Sequence, residues 1–409
     1  MQIGEDGGFH LTYCTKIHPG HGWEELFGNL RAYVPRLKAR LSPDRPFGLG
    51  LRLSAVESEE LLMRDRLPRF QEFLAQNDVY VFTLNGFPYG SFHGPRVKAE
   101  VFAPDWREEA RVRYTLRLVE ILRRLLPAGG EGSLSTLPLS YKPWMASNTD
   151  GALRRISGNL AEVAARLAAI RKEEGKLIHL DLEPEPDGWL ETSGEVVDFF
   201  KVWLLPVGGP ALARAAGMSL SECREALLTH IQVCLDTCHQ AVEYEDPEKA
   251  LAELAGAGIR VGKMQLTSGL KVVMPEATDL RETLARELEP FACSPYLHQV
   301  IARDRGGRRR QFPDLPQALA HLKDGSPGGE WRIHFHMPLF IEGFQGLATT
   351  QGETRAVLRL LREQKFTRHL EIETYTWDFL PPGLKVELLE SLTREYLWVL
   401  EALRLPGNE

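Results

Sequence analysis

Short β-type runs alternate with amphipathic, helix-compatible stretches along nearly the whole chain, and that alternation restricts the fold more than any other feature. The runs are HLTYCTKI (10–17), FGLGLRLS (47–54), VYVFTLN (79–85), GSLSTLPLS (132–140), KLIHLDLE (176–183), HIQVCLD (230–236), IRVGKMQLT (259–267), WRIHFHMPL (331–339) and HLEIETYTW (369–377). Between them lie stretches such as WEELFGNLRAYVPRLKARL and NLAEVAARLAAIRKEEG, whose apolar residues recur every three or four positions. Repeated βα units of this kind build a parallel sheet, and eight of them close a barrel, so the expected class is α/β with a (β/α)8 barrel. One run is then surplus. The rhythm breaks between 269 and 330, where YLHQVIARDRGGRRRQFPD reads as a β-hairpin and DLPQALAHLK as a helix. An insertion is expected there, and either KMQLT or RIHFHM is the seventh barrel strand. A second long connection, about 184–229, is expected to carry extra helices over one rim. One elaborated domain, 1–409, accommodates all of this without a second core.

A barrel of this kind collects its chemistry at the carboxyl ends of its strands. There the sequence places side chains that are costly to bury: Asp181 and Glu183, Asp236 with Thr237 and His239, Lys263 and Gln265, His334 and His336, and Glu371, Glu373 and Tyr375. Within each two-residue spacing both side chains face the same side of the sheet. Taken singly, each reads as a hydrogen-bonded core residue. Taken together, carboxylates and imidazoles at successive strand ends repel and desolvate one another, and a divalent cation neutralises them jointly. Oxygen ligands with one nitrogen suit Mn, Mg, Fe, Co or Zn. Glu185 and Asp187 read as loop charges.

The early strands supply hydrogen-bonding and cationic groups: His18 and His21, Arg52, Asn85, then Ser140, Tyr141 and Lys142. Such a set suits a polyol or phosphate, although Asn85-Gly86 also reads as a turn and Lys142 as a loop cation. Trp23, Phe87, Tyr89, Trp144 and Trp377 either wall a sugar-sized cleft or pack.

The formal charge of -7 speaks against a nucleic-acid partner, and the basic run 303–310 reads as a solvated hairpin tip. Five cysteines, Cys14, Cys223, Cys234, Cys238 and Cys293, match neither a disulfide framework nor a metal knuckle, which points to reduced thiols in the cytoplasm. No stretch reads as a membrane span, and MQIGEDGGFH lacks the features of a signal peptide.

The order Glu in LEPEP, Asp with a His three later in LDTCH, His in HFH and Glu in EIET resembles the xylose-isomerase-like TIM barrels of the sugar phosphate isomerase/epimerase superfamily. More narrowly, strings from LTYCTKIHPG through FTLNGFPYG, LSYKPW, CLDTCH and HFHMPLF to LEIETYTWDFLP are similar to the EboE metabolite traffic proteins over nearly the whole chain. The resemblance implies a divalent metal held by Glu183, Asp236, a His and Glu373, with Glu183 and Glu373 moving a proton between adjacent carbons. The His position stays open: by distance after the sixth strand Gln265 falls there, and by local motif His336. His18, Asn85, Lys142, His239 and His334 form the expected substrate-binding set. The implied activity is isomerisation or epimerisation of a sugar, sugar phosphate, polyol or cyclitol in a secondary-metabolite pathway, with protein partners among the other ebo-cluster products. A second reading is a binding or trafficking barrel without chemistry. A third is a metal hydrolase resembling the apurinic endonucleases, which the acidic charge opposes.

Overall fold

The computed structural model of the protein describes residues 1–4, 8–90, 98–145, 147–322 and 329–403. Eight parallel strands form the barrel: β1 (Phe9–Tyr13), β2 (Phe47–Arg52), β3 (Val79–Asn85), β4 (Glu131–Thr136), β5 (Leu177–Leu182), β6 (Ile231–Asp236), β7 (Val261–Leu266) and β8 (His369–Ile372). From β2 to β8 each pairs with the next in sequence, and β8 returns to pair with β1. Gln2–Ile3 adds antiparallel to the outer end of β1. The seam between β1 and β2 closes differently. One backbone bridge joins Cys14 and Gly50, while Thr12 Oγ1 accepts from Gly50 N and Thr15 Oγ1 from Arg52 N, both at 2.8 Å. Side-chain hydroxyls thus take up backbone donors that a full ladder would pair.

Close approach inside the barrel explains the glycine-rich β2. A Cβ on Gly50 would lie 1.9 Å from Glu371 Oε1, and one on Gly262 would lie 2.4 Å from Asp181 Oδ1. Those carboxylates belong to buried ion pairs in the barrel interior, Lys263–Glu371 at 2.6 Å and His179–Asp181 at 2.7 Å. Asp181, Lys263 and Glu371 therefore point into the barrel below the rim, two residues deeper than Glu183, Gln265 and Glu373.

The surplus strand is resolved in favour of KMQLT, which forms β7. RIHFHM lies outside the barrel, in Gly329–Met337, the central member of a six-stranded antiparallel sheet. Its other strands are Ser268–Val273, Val300–Asp304, Arg309–Phe312, Gly343–Phe344 and Leu347–Thr349, so the inserted sheet runs on past 330. It has a hydrophobic cluster of its own, with Leu270, Phe291, Val300, Trp331, Ile333 and Phe335. The predicted hairpin is present, with Val300 opposite Phe312.

The connection after β5 holds the helices Ser193–Phe199, Phe200–Gly208, Gly209–Ala216 and Leu220–His230, the second of them π-helical. Ser193–Ala216 runs on as 24 helical residues, within which an 18-residue window has a mean hydropathy of 1.4, a length and composition that the core helix of a globular protein shares with a membrane span. Asp198, Lys201 and the Gly208-Gly209-Pro210 sequence interrupt its apolar character. It packs along the helix Thr149–Glu174, burying Phe199, Phe200, Leu204 and Leu212.

Candidate active site at the carboxyl rim

Barrel strands deliver Glu183 and Glu373 to one cavity beneath the inserted sheet, with Gln265 hydrogen-bonded to Glu183 and Asp236 close behind His239. Glu183 follows β5, and its Oε1 accepts from Gln265 Nε2 at 2.7 Å while its Oε2 is buried without a hydrogen-bond partner. Asp236 ends β6 and caps the helix Thr237–Val242, its Oδ1 accepting from Cys238 N at 2.7 Å and His239 N at 3.1 Å. That cap fixes the turn that carries the His239 ring into the cavity. Glu373 follows β8, and its Oε1 accepts from Lys16 Nζ at 3.2 Å and Asn85 Nδ2 at 2.9 Å. Lys16 lies just beyond β1, buried, 4.1 Å from the centre of the Tyr375 ring.

Beside these carboxylates three imidazoles meet. Nε2 of His239 and His334 are 3.0 Å apart, those of His334 and His336 3.2 Å, and those of His336 and His239 3.4 Å. Each ring is anchored through its other nitrogen. Nδ1 donates to Pro184 O from His239 at 3.1 Å, to Gln299 Oε1 from His334 at 2.9 Å, and to Glu373 O from His336 at 2.7 Å. Gln299 is itself oriented by donating Nε2 to Pro186 O at 3.0 Å, which leaves its Oε1 as the acceptor. Carbonyl acceptors fix all three rings as Nδ1–H tautomers, so three Nε2 lone pairs face one point. The donors suit a divalent cation, because lone pairs aimed at one another are favourable only around a positive centre. Asp236 Oδ2, also buried without a hydrogen-bond partner, lies 4.0 Å from His239 Nε2, and Glu185 Oε2 lies 3.9 Å from it.

Burial dominates the electrostatics. It raises Glu183, Glu185 and Asp236 well above ordinary carboxylates, reinforced for Glu183 and Asp236 by the nearby charge of Glu373. Burial likewise lowers His239 to about 3, and lowers His334 and His336 well below an ordinary histidine with help from the neighbouring rings. The imidazoles are neutral at physiological pH, the form that binds metals.

Of the residues the sequence singled out, Glu183, Asp236, His239, Gln265, His334, His336 and Glu373 gather here, with Asn85 touching Glu373. His336 reaches the cavity from the inserted sheet, and Gln265 occupies the seventh barrel strand. His18 does not line the cavity: its Nε2 bonds Tyr13 Oη at 2.9 Å and its ring packs on Tyr33 at 4.7 Å. Nor does Lys142, which pairs with Glu191 and Glu195. His21 is exposed beyond β1, and Arg52 pairs with Glu57 at 3.2 Å. The sequence reading passed over Lys16, two residues before His18, and Gln299, and it took the buried Glu185 for a loop charge. Among the suggested aromatics Phe87 lines the cavity, joined by Phe102, Tyr296 and Tyr375.

The barrel fold has solved structural neighbours. The chain is similar to a D-tagatose 3-epimerase-like protein, with 10% identity, a TM-score of 0.50, and coverage of 96% of this chain and 97% of that one. It is equally similar to a xylose isomerase-like TIM barrel protein from Mycobacterium smegmatis solved with magnesium, with 11% identity, a TM-score of 0.50, and coverage of 97% and 96%. The fold is that of the xylose isomerase-like TIM barrels. No protein-family model matches the chain, and no curated protein sequence does, so the narrower likeness to the EboE proteins rests on the motif strings alone.

Proposed function

We propose that the protein is a divalent-metal-dependent isomerase or epimerase of a small sugar, sugar phosphate, polyol or cyclitol, acting in a secondary-metabolite pathway. One observation carries this reading: Glu183 and Glu373 share a cavity but have opposite company. Glu373 Oε1 receives an ammonium and an amide donor, which fix its position for proton transfer. Glu183 Oε2 is desolvated and unbonded, and its raised pKa suits a carboxyl that holds a proton and returns it. Asn85 and Lys16 orient Glu373, Gln265 orients Glu183, and Phe87, Phe102 and Tyr375 line the cavity around them. Asp236 and the three imidazoles would hold the cation, which when bound would supply Lewis-acid polarisation of a substrate oxygen. The free cysteines support a cytoplasmic setting.

Incubation with candidate polyols in deuterated water tests the reading. Solvent deuterium should enter the carbon beside the carbonyl, and Glu183→Gln or Glu373→Gln should reduce exchange by at least about 100-fold with folding intact. Undiminished exchange in both variants would overturn the proton-transfer roles.

Gln265 favours a second reading, an EboE-type binding or trafficking barrel, because an amide stands on the strand where the resemblance places a histidine. That reading expects stoichiometric polyol binding without exchange. The cluster of imidazoles supplies the nitrogen donors that the hydrolase reading needs, but the buried carboxylates around it oppose a polyanionic nucleic acid.

A further inference from the structure

The imidazole cluster draws on two separate parts of the fold. His239 rides on the helical turn after β6, whereas His334 and His336 project from a strand of the inserted sheet, 95 and 97 residues further along the chain. Tetrahedral nitrogen ligands at about 2.0–2.1 Å from one ion stand about 3.3–3.4 Å apart, and cis ligands of an octahedron about 2.8–3.0 Å apart. The observed spacings of 3.0, 3.2 and 3.4 Å span those values. Three neutral rings in ordinary packing have no reason to meet lone pair to lone pair with every Nδ1 anchored on an oxygen. Among the strand-end carboxylates, by contrast, a fixed cation already stands: the Lys16 ammonium lies against Glu373, and the Gln265 amide takes one oxygen of Glu183.

We infer that His239, His334 and His336 form a three-imidazole metal site at the junction of barrel and inserted sheet, selective for a borderline transition ion such as zinc over magnesium. Its open side faces Asp236 Oδ2 and Glu185 Oε2, and Glu373 lies outside the ligand set. Imidazole nitrogen suits zinc, copper, iron and nickel, whereas magnesium prefers oxygen ligands and retained waters. The inference deepens the function proposed above and rests on it for the presence of a cation.

X-ray absorption on the wild-type full chain, stripped of metal and reloaded with one equivalent of zinc, is the direct test. The expected result is a first shell with three imidazole nitrogens at about 2.0–2.1 Å. Calorimetric titration should show one zinc site that millimolar magnesium does not displace. His334→Ala should weaken zinc binding by more than about 100-fold, beyond the 10–100-fold cost of losing an outer-shell partner, while Glu373→Gln stays within about threefold. Because the absorption measurement uses the native chain, a misfolded His334→Ala variant leaves the test standing. An oxygen-only shell, displacement by magnesium, or a loss on Glu373→Gln with none on His334→Ala would each overturn the site. Zinc held by three imidazoles without isotope exchange on any polyol would defeat the isomerase reading and uphold this one; exchange with an oxygen-only shell would do the reverse.

Discussion

At the scale of single residues, the site depends on side chains that touch its donors without being donors themselves. Gln299 is the clearest. Its Oε1 accepts from His334 Nδ1 at 2.9 Å and fixes the tautomer that turns Nε2 inward. Gln299→Leu should weaken zinc binding about 10–100-fold, measured by competition with a chelating dye, and leave the melting temperature of the metal-free protein within a few degrees. An unchanged affinity would show that the ring is held by packing alone. The donors were legible in the sequence because carboxylates and imidazoles at strand ends are costly, and Glu183, Asp236 and Glu373 stood out for that reason. Gln299, Lys16 and Glu185 were not legible, since an amide, a lysine and a loop glutamate carry no signal until burial is known. The meeting of His239 with His334 was hidden as well, because a contact across 95 residues leaves no periodicity.

At the scale of elements, the barrel strands announced themselves by composition, and their glycines by necessity. Gly50→Ala places a Cβ 1.9 Å from Glu371 Oε1 and 2.8 Å from Thr12 Cγ2, against a carboxylate held at 2.6 Å by Lys263. Neither neighbour can retreat cheaply, so denaturant titration should show a loss of at least about 2–3 kcal/mol. The helix Leu388–Ala402 contributes a pH response. Burial raises Glu395 from 4.5 to about 7, against the opposing hydrogen bonds from Thr374 Oγ1 and Leu339 N. The folded protein keeps a proton there that the unfolded chain releases above its ordinary pKa, so stability falls as pH rises through that window, by on the order of 3 kcal/mol in full. Glu395→Gln keeps an acceptor oxygen and removes the titration. Its stability relative to wild type should therefore be higher at pH 8 than at pH 5, and a difference that does not vary with pH would contradict the assignment. The choice between KMQLT and RIHFHM could not be made from pattern, because both alternate in the same way. Only pairing separates them: Gln265 lies between Asp236 and Glu371 in the parallel sheet, whereas Ile333 pairs antiparallel with Leu270.

At the scale of the whole molecule, the inserted sheet adds imidazoles to a rim of carboxylates. The barrel alone presents Glu183, Asp236 and Glu373 at its rim with an amide on the seventh strand. The sheet then lowers His334 and His336 onto that rim and completes the cavity. Sequence pattern gave the barrel and the presence of an insertion, because both follow from the count and spacing of strands. It did not give the sheet's placement, which depends on long-range packing between the sheet and the helical turn after β6. Whether rim and sheet act together around one ion is the claim on which the account turns. An anomalous-difference map from crystals of the full chain soaked in zinc measures it directly. The account predicts one strong peak within about 2.2 Å of Nε2 of His239, His334 and His336, on the side facing Asp236. A peak between Glu183 and Glu373 with the three rings unliganded, or no peak in the cavity at all, would contradict it.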